Sequence, residues 1–580
     1  MNALKVEGEK GRAFEINLEN PLQKRYEMVR ELILSSKPRA EICAKYGYTR
    51  KTGNEYLRAW HEKGWEGLMD KPRGPKTKSK RTQEVERRIV DMRFRNPDKD
   101  MYDIAKTLKS EGYEISARSV ARVLSEHGII LKKNEEMALS REPKEKIRNV
   151  YVEHLLINGF HTNYGGAFLL LPYLAALDLD KLVCNLGIEQ QKGIATLQNV
   201  LSLVFLVVIG KKRVIKVEKV KDRGIAVLAG LSKLPSKSAL YGFLDQITVA
   251  CAEKFGIACA KAFKKQGIFN GKTVNLDGHL ISYFSDLKIG KDKHPTRNAI
   301  MQGIKAFIIQ DQDTGNPVFG RVEYPREGLK PATVAMPMLE IARNILPNLE
   351  KVVFDKWFSV GSLLEYLDKK MDLKYVTLIK LYNNRIEEMK SIPKEEFEPL
   401  VGTDRLIAFK DTTLRNFSGS MKLIVVCFLE DGIEKYHGYL TNDYESSEVQ
   451  ILNEKSWRWR IENFFKDFDF LGLDALPSIE LNKIAAMIAL KLFAFNLMAC
   501  LKRDMEGEFE KLTVESLFEE IIAFPALVKA KGDRIVVTFY GNYKEKHRVA
   551  VETLLRILDE SGRNLPVSWL GNRKIAARFK

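Results

Sequence analysis

Between positions 21 and 127 the apolar residues recur at three- and four-residue spacing in short blocks, and glycine marks the breaks. The periodicity predicts helices over 21–34, 39–46 and 50–63 around a tight Gly47-Tyr48-Thr49 break. A second set follows over 83–95, 102–111 and 117–127, broken at Gly112-Tyr113-Glu114, with Ser116 placed to cap its last helix. From 141 to 265 the chain is helical and largely apolar, and predicts a helical scaffold. After 266 the rhythm changes: strands are expected over 273–281, 306–310, 318–323, 351–354 and 375–379, and helices over 332–346 and 360–370. A β-rich stretch follows, with strands over 405–410, 422–429 and 436–441. Residues 454–468 read as one helix, whose Ile461, Phe464, Phe465 and Phe468 form an apolar stripe. Residues 484–501 read as a buried helix behind it, and the C-terminal region holds a strand over 534–540 and a helix over 545–559.

At 580 residues the chain is several domains, since single cores rarely exceed about 250–300 residues. Lysine and arginine exceed the acids by 94 − 76 = 18, a balance that calls for a polyanionic partner without choosing between nucleic acid, ribosome and membrane surface. Cys43, Cys184, Cys251, Cys259, Cys427 and Cys500 show no metal-ligand spacing, so reduced thiols without structural zinc and a cytoplasmic setting are expected. The first residues lack the apolar core of a signal peptide, and the runs over 200–210 and 485–501 are short of the ~20 residues of a bilayer span, so no membrane partner is expected.

A short helix, a glycine turn and a helix opening on cations form the layout of a helix-turn-helix, whose second helix enters the major groove. Arg50, Lys51, Asn54 and Arg58 line its polar face; a protein-binding helical bundle is the alternative. Residues 70–81 hold two prolines, a glycine and six cations, too little to build a core. Arg73, Lys76, Lys78, Lys80 and Arg81 are therefore candidates for an arm along DNA phosphates, or for a plain solvated linker. In the second unit Arg118 and Arg122 share one side of the last helix. The basic run from Lys211 to Lys221 is a further candidate for tracking DNA, whereas His154 and His161, seven apart on an apolar background, read as packed side chains rather than ligands.

Three carboxylates stand out. Asp277 and Asp355 each follow a short apolar run, where a buried strand would deliver them to a sheet's edge, although Asp is also a common turn former. Glu462 lies between Arg458 and Lys466 at four-residue spacing on the 454–468 helix; a salt-bridge stripe is the plain alternative. Converging, the three would hold a pair of divalent ions through oxygen ligands. Asp286, Asp292, Asp311 and Asp313 rank lower because each is read as sitting in a polar loop.

At Asp277, Asp355-Lys356-Trp357-Phe358 and Arg458-Trp459-Arg460-Ile461-Glu462 the chain resembles the DDE transposases of bacterial insertion sequences, in the cut-and-paste group with a β-rich insertion in a ribonuclease H-like core. That family carries Tyr three positions before the Arg and Lys about seven after the Glu; this chain has Lys455 and Asp469 there. The resemblance implies a multidomain α and α/β fold in which the paired helix-turn-helix units recognise the element's ends. Its expected parts are a first helix-turn-helix unit over 1–70, a basic linker over 71–82, a second unit over 83–140 and a helical scaffold over 141–265. A ribonuclease H-like core over 266–383 and 446–501, interrupted by the insertion over 384–445, and a C-terminal region over 502–580 complete it. It also implies Asp277, Asp355 and Glu462 as catalytic metal ligands for two Mg²⁺ or Mn²⁺, with Arg458 and Lys466 on DNA phosphates. Trp357, Trp457 or Trp459 would stack on an extruded base, or simply pack. The implied partners are double-stranded DNA, both inverted repeats and target, and a second copy on DNA, in a nucleoid-associated setting. A catalytically silent DNA-binding regulator and a nuclease that cuts without joining remain as alternatives.

Overall fold

A computed structural model describes every residue except 1–2, 8–12, 71–80, 96–98, 127–143, 189–193, 285–289, 295–298, 326–328 and 542. The chain forms two compact units, Met1–Ile130 and Leu131–Lys580.

In the first unit a hairpin of Ala3–Glu7 and Ala13–Asn17, absent from the expectations, precedes helices α1 (Pro21–Leu34), α2 (Arg39–Lys45) and α3 (Arg50–Lys63). Asn20 and Thr49 cap α1 and α3 through their side-chain oxygens, which fixes where each helix begins. Met28, Val29, Leu32, Ile42, Cys43 and Tyr46 form the core these helices share. Gly53 lets α3 press on α2, because a Cβ there would lie 2.2 Å from the Cys43 sulfur. Gly53→Ala is therefore expected to destabilise this unit by about 1–3 kcal/mol through overpacking, seen as a lower midpoint for its unfolding transition in the full chain. Helices α4 (Gln83–Arg95), α5 (Met101–Ser110) and α6 (Ala117–Glu126) repeat the pattern, and Asp100 and Asp103 form a capping box on α5. Arg73, Lys76, Lys78 and Lys80 lie outside the described residues; Arg81 pairs with Glu86 at 2.8 Å.

The second unit is built around a ten-stranded sheet. Its strands are β1 (Thr273–Ser282), β2 (Lys291–His294), β3 (Ala299–Asp311), β4 (Pro317–Glu323), β5 (Lys351–Phe354), β6 (Lys374–Leu378), β7 (Glu398–Pro399), β8 (Leu406–Thr412), β9 (Met421–Glu430) and β10 (Ile433–Thr441). β4, β3 and β1 form an antiparallel meander, β5 and β6 join β1 in parallel, and this is the ribonuclease H-like order. The β-rich insertion does not stand apart from the core, because β10 pairs antiparallel with β6 and carries β9, β8 and β7 outward on the same sheet. Val353 and Val376 of the core share one apolar cluster with Ile407 and Ile424 of the insertion.

Helix α7 (Thr196–Val208), the helix Val249–Lys265 and the long helix Leu481–Met505 supply the apolar layer behind the sheet. Leu481–Met505, at 25 residues, is longer than the sequence suggested and long enough to cross a membrane, but 94% of its apolar window is buried within the protein. The C-terminal region is not independent of the helical scaffold: Phe160–Thr162 pairs with Ala526–Lys531 in a four-stranded sheet completed by Arg534–Phe539 and Lys574–Phe579. His161 lies on this strand and His154 on the preceding helix, so the two share no helix face; His161 Nδ1 meets the Tyr540 hydroxyl at 2.9 Å. All six cysteines are free.

Candidate active site

Asp277 sits within β1, and Asp355 is the first residue after β5. These strands are parallel neighbours with Leu276 opposite Phe354, so the next residue on each strand is an aspartate, one strand spacing apart, about 4.8 Å. The sequence 454–468 is not one helix. Glu448–Ser456 ends in a turn at Trp457 and Arg458, and α8 (Trp459–Phe470) starts afresh with Glu462 in its first turn. Two anchors hold this break. Lys455, buried, donates its ammonium to the Phe354 carbonyl at 2.7 Å, while Arg460 reaches the carbonyls of Gln312 at 2.9 Å and Asp313 at 3.1 Å.

The break aims Arg458 between the carboxylates. One of its terminal nitrogens donates to Asp277 at 2.7 Å and the other to Glu462 at 2.5 Å. Asp277 and Glu462 are thereby joined through a single guanidinium. Arg458 and Asp277 are each 17% exposed at their side chains and Glu462 is 54% exposed, so the cluster opens to solvent on the Glu462 side. Burial pushes the Asp277 carboxyl up to about 6; Arg458 and the Gly278 amide pull the other way, and Asp355 adds to the rise. Burial pulls the Lys455 ammonium down to about 7, helped by Arg458 and opposed by Asp355, Asp277 and Glu462. Lys455 is the site residue that sequence reasoning passed over; its one signal was its place where the resembling family has Tyr.

Among the described residues no three His, Cys, Asp or Glu side chains are drawn together closely enough to hold an ion, because Arg458 lies between Asp277 and Glu462. The donor chemistry fits a divalent metal all the same: hard carboxylate oxygens, already organised about one positive charge.

The other expected residues fall in several places. Lys466 is exposed and lines a separate cleft of about 590 Å³ with Arg460, Asn463, Lys502 and Lys511. Trp357 packs between Phe307, at 5.5 Å, and Phe358, with the Lys305 ammonium 4.5 Å from its ring. Trp457 is 43% exposed beside Arg460, and the Trp459 side chain lies outside the described residues. In the first unit Arg50, Lys51 and Arg58 are exposed on α3 while Asn54 accepts a hydrogen bond from Arg39, and Arg118 and Arg122 are exposed one turn apart on α6. Asp311 is not in a solvated loop: it is buried at the end of β3 and accepts amide hydrogen bonds from Gly271, Asp313 and Thr314. Asp292 lies on β2 and pairs with Lys305 at 2.5 Å, Asp313 accepts from Asn270, and Asp286 lies outside the described residues.

Residues 269–497 match a family model described as the transposase DDE domain. Residues 52–124 match a homeodomain-like domain and residues 24–76 a helix-turn-helix domain. No curated protein matches the chain. Among solved structures it is similar to the piggyBac transposase synaptic complex with hairpin DNA, at 13% identity over 62% of this chain and 80% of that one, TM-score 0.37. It is also similar to the Mos1 strand transfer complex, at 11% identity over 60% and 75%, TM-score 0.15.

Proposed function

We propose that this chain, which carries a transposase DDE domain over residues 269–497 behind a DNA-binding helix-turn-helix arm, is a DDE transposase, and that Asp277, Asp355 and Glu462 are its catalytic carboxylates in cut-and-paste transposition. The supporting observation is the pair of hydrogen bonds by which one guanidinium gathers Asp277 and Glu462 beside the strand that delivers Asp355.

The arm holds the element's ends through Arg50, Lys51, Asn54 and Arg58, through Arg118 and Arg122, and through the basic run that includes Arg73, Lys76, Lys78, Lys80 and Arg81. Family membership carries divalent-metal dependence in general terms. In this reading Asp277, Asp355 and Glu462 would hold two Mg²⁺ or Mn²⁺ ions, which when bound would supply Lewis-acid stabilisation of the charge at the scissile phosphate. Water attacks the phosphorus at the element's end, the phosphorus–oxygen bond to the 3′ oxygen breaks, and that oxygen takes up a proton to become the 3′-hydroxyl. The hydroxyl then attacks a target phosphodiester, loses its proton and displaces the target's own 3′ oxygen. Arg458, which must leave Asp277 and Glu462 for an ion to enter between them, then holds phosphates of the element end together with Lys466, and Lys455 fixes the Phe354 carbonyl and so the exit of Asp355 from its strand. Two copies assemble on DNA in the cytoplasm, at the nucleoid.

The test is a supercoiled plasmid bearing the element's inverted repeats. Cleavage at the repeats and joining to a target are expected with Mg²⁺, and end binding alone in EDTA. Binding without cleavage in any divalent cation would leave a DNA-binding regulator, and cleavage without joined product a nuclease.

A further inference from the structure

Beside the end of α8 lies a cleft of about 610 Å³ that the triad does not use. One wall is the segment that follows α7: Lys211, Lys212 and Arg213, then the short 3₁₀ helix Val214–Lys219. Val214 and Val217 are buried and pin the segment down, which turns Arg213, Lys216 and Lys219 outward to solvent. The other wall is α8 and the turn after it, with Asp469, Asp474 and Ala475.

The acids of that wall are already engaged. Asp469 pairs with Lys212 at 2.7 Å, and Asp474 meets His279 Nε2 at 2.6 Å. Lys211, Arg213, Lys216 and Lys219 are left without an ion pair among the described residues. The segment is also held tightly against the catalytic helix. Gly472, at φ +84°, has the Lys212 main chain so near that a Cβ would lie 2.8 Å from its Cα, and buried Lys491 donates to the Gly472 and Ala475 carbonyls from beneath.

From this placement we infer that the cleft binds backbone phosphates of the DNA about three nucleotides from the phosphate being cut. Asp469 follows Glu462 by seven residues on one helix, a rise of about 10 Å. A DNA strand laid along α8, as the inference takes it to lie, advances about 3.4 Å per nucleotide, so that rise spans about three. Phosphate is the chemistry that four unpaired cations around an open cleft recognise, with no base reading required. The inference rests on the triad reading, because the scissile phosphate sets the origin of that distance.

The experiment uses the full-length chain and the variant Arg213→Gln/Lys216→Gln/Lys219→Gln, with Arg213→Lys/Lys216→Arg/Lys219→Arg as the charge-preserving control. Affinity for an element-end duplex is measured against salt, and single-turnover cleavage is measured on duplexes with one neutral methylphosphonate at each position in turn on either side of the cut. In wild type, a neutral linkage about three nucleotides from the cut is expected to slow cleavage. In the glutamine variant that substitution has no further effect, the salt slope is shallower by about 2.7 for three lost contacts, and the control behaves as wild type. A sensitive position on the element side identifies the phosphates of the inverted repeat, and one on the flank those of donor or target DNA; either supports the site. A salt slope and phosphate-sensitivity profile unchanged by the glutamine substitutions would overturn it. Wild-type protein that binds ends but never cleaves would overturn the triad reading instead, with the salt slope still judging the cleft.

Discussion

Asp277→Asn is expected to reduce metal-dependent strand cleavage by about 10³-fold or more, since on the proposed reading it removes a metal-holding carboxylate and forfeits ~4 kcal/mol of transition-state stabilisation. End binding in EDTA should be unchanged. The side chain lies on β1, one strand from Asp355, and meets Arg458 at 2.7 Å. An amide oxygen still accepts that hydrogen bond but offers no negative charge to an ion, so fold and chemistry separate in this variant. Cleavage and joining on end-bearing DNA, with a melting curve alongside, make the measurement. Retained strand transfer with Mg²⁺ in a folded variant would remove Asp277 from the site.

Asp443→Asn carries the other large effect, in stability. Asp443 is fully buried just beyond β10, where it meets Lys351 at 2.8 Å and Lys374 at 3.1 Å and accepts from the Ser446 hydroxyl at 2.7 Å. Lys351, buried at the start of β5, also reaches Glu454, and so ties the return of the insertion to the strand and the helix that place Asp355 and Lys455. Burial opposes the charged form of Asp443, but Lys351, Ser446 and Lys374 outweigh it and hold the carboxyl far below the usual carboxylate range. Breaking such a buried pair from one side costs about 3–5 kcal/mol, and Glu454, which still answers Lys351, places this variant at the lower end. A carboxyl whose pKa folding lowers adds stability that is complete above the pH at which an unfolded Asp titrates, about 3.9, and is lost as the pH falls below it. Wild type should therefore exceed Asp443→Asn in urea midpoint at pH 7, with the gap closing as the pH falls below about 4. A gap that stays constant across that range would assign the loss to packing rather than charge.

Local signals carried much of the fold. The bounds of α1 to α3 were legible within a residue: the Asn20 and Thr49 side chains cap the starts of α1 and α3, and Gly47 and Gly64 follow the ends of α2 and α3, because such ends depend on neighbours three or four positions away. The strand Lys351–Phe354 was equally legible as a short apolar run before a carboxylate. The break at Trp457 and Arg458 was not. Residues 454–468 have unbroken helical periodicity, and what ends the first helix is the reach of Lys455 to Phe354 and of Arg460 to Gln312, partners more than 100 positions away. The hairpin over residues 3–17 and the sheet joining Phe160–Thr162 to Ala526–Lys531 were missed for related reasons, since short strands show their character only when paired.

The choice of Asp277, Asp355 and Glu462 as candidates and the strand or helix character around each came from the sequence, as did the helix-turn-helix pattern and the basic excess. Periodicity, charge and turn chemistry are properties of neighbouring residues, readable without a partner. Only the tertiary structure placed Arg458 between Asp277 and Glu462, set buried Lys455 beneath Asp355, extended the core sheet through the insertion, and laid the basic segment after α7 against the end of α8. Each of these depends on strand pairing or close packing between segments far apart in the chain, and local spacing holds no record of such a distance.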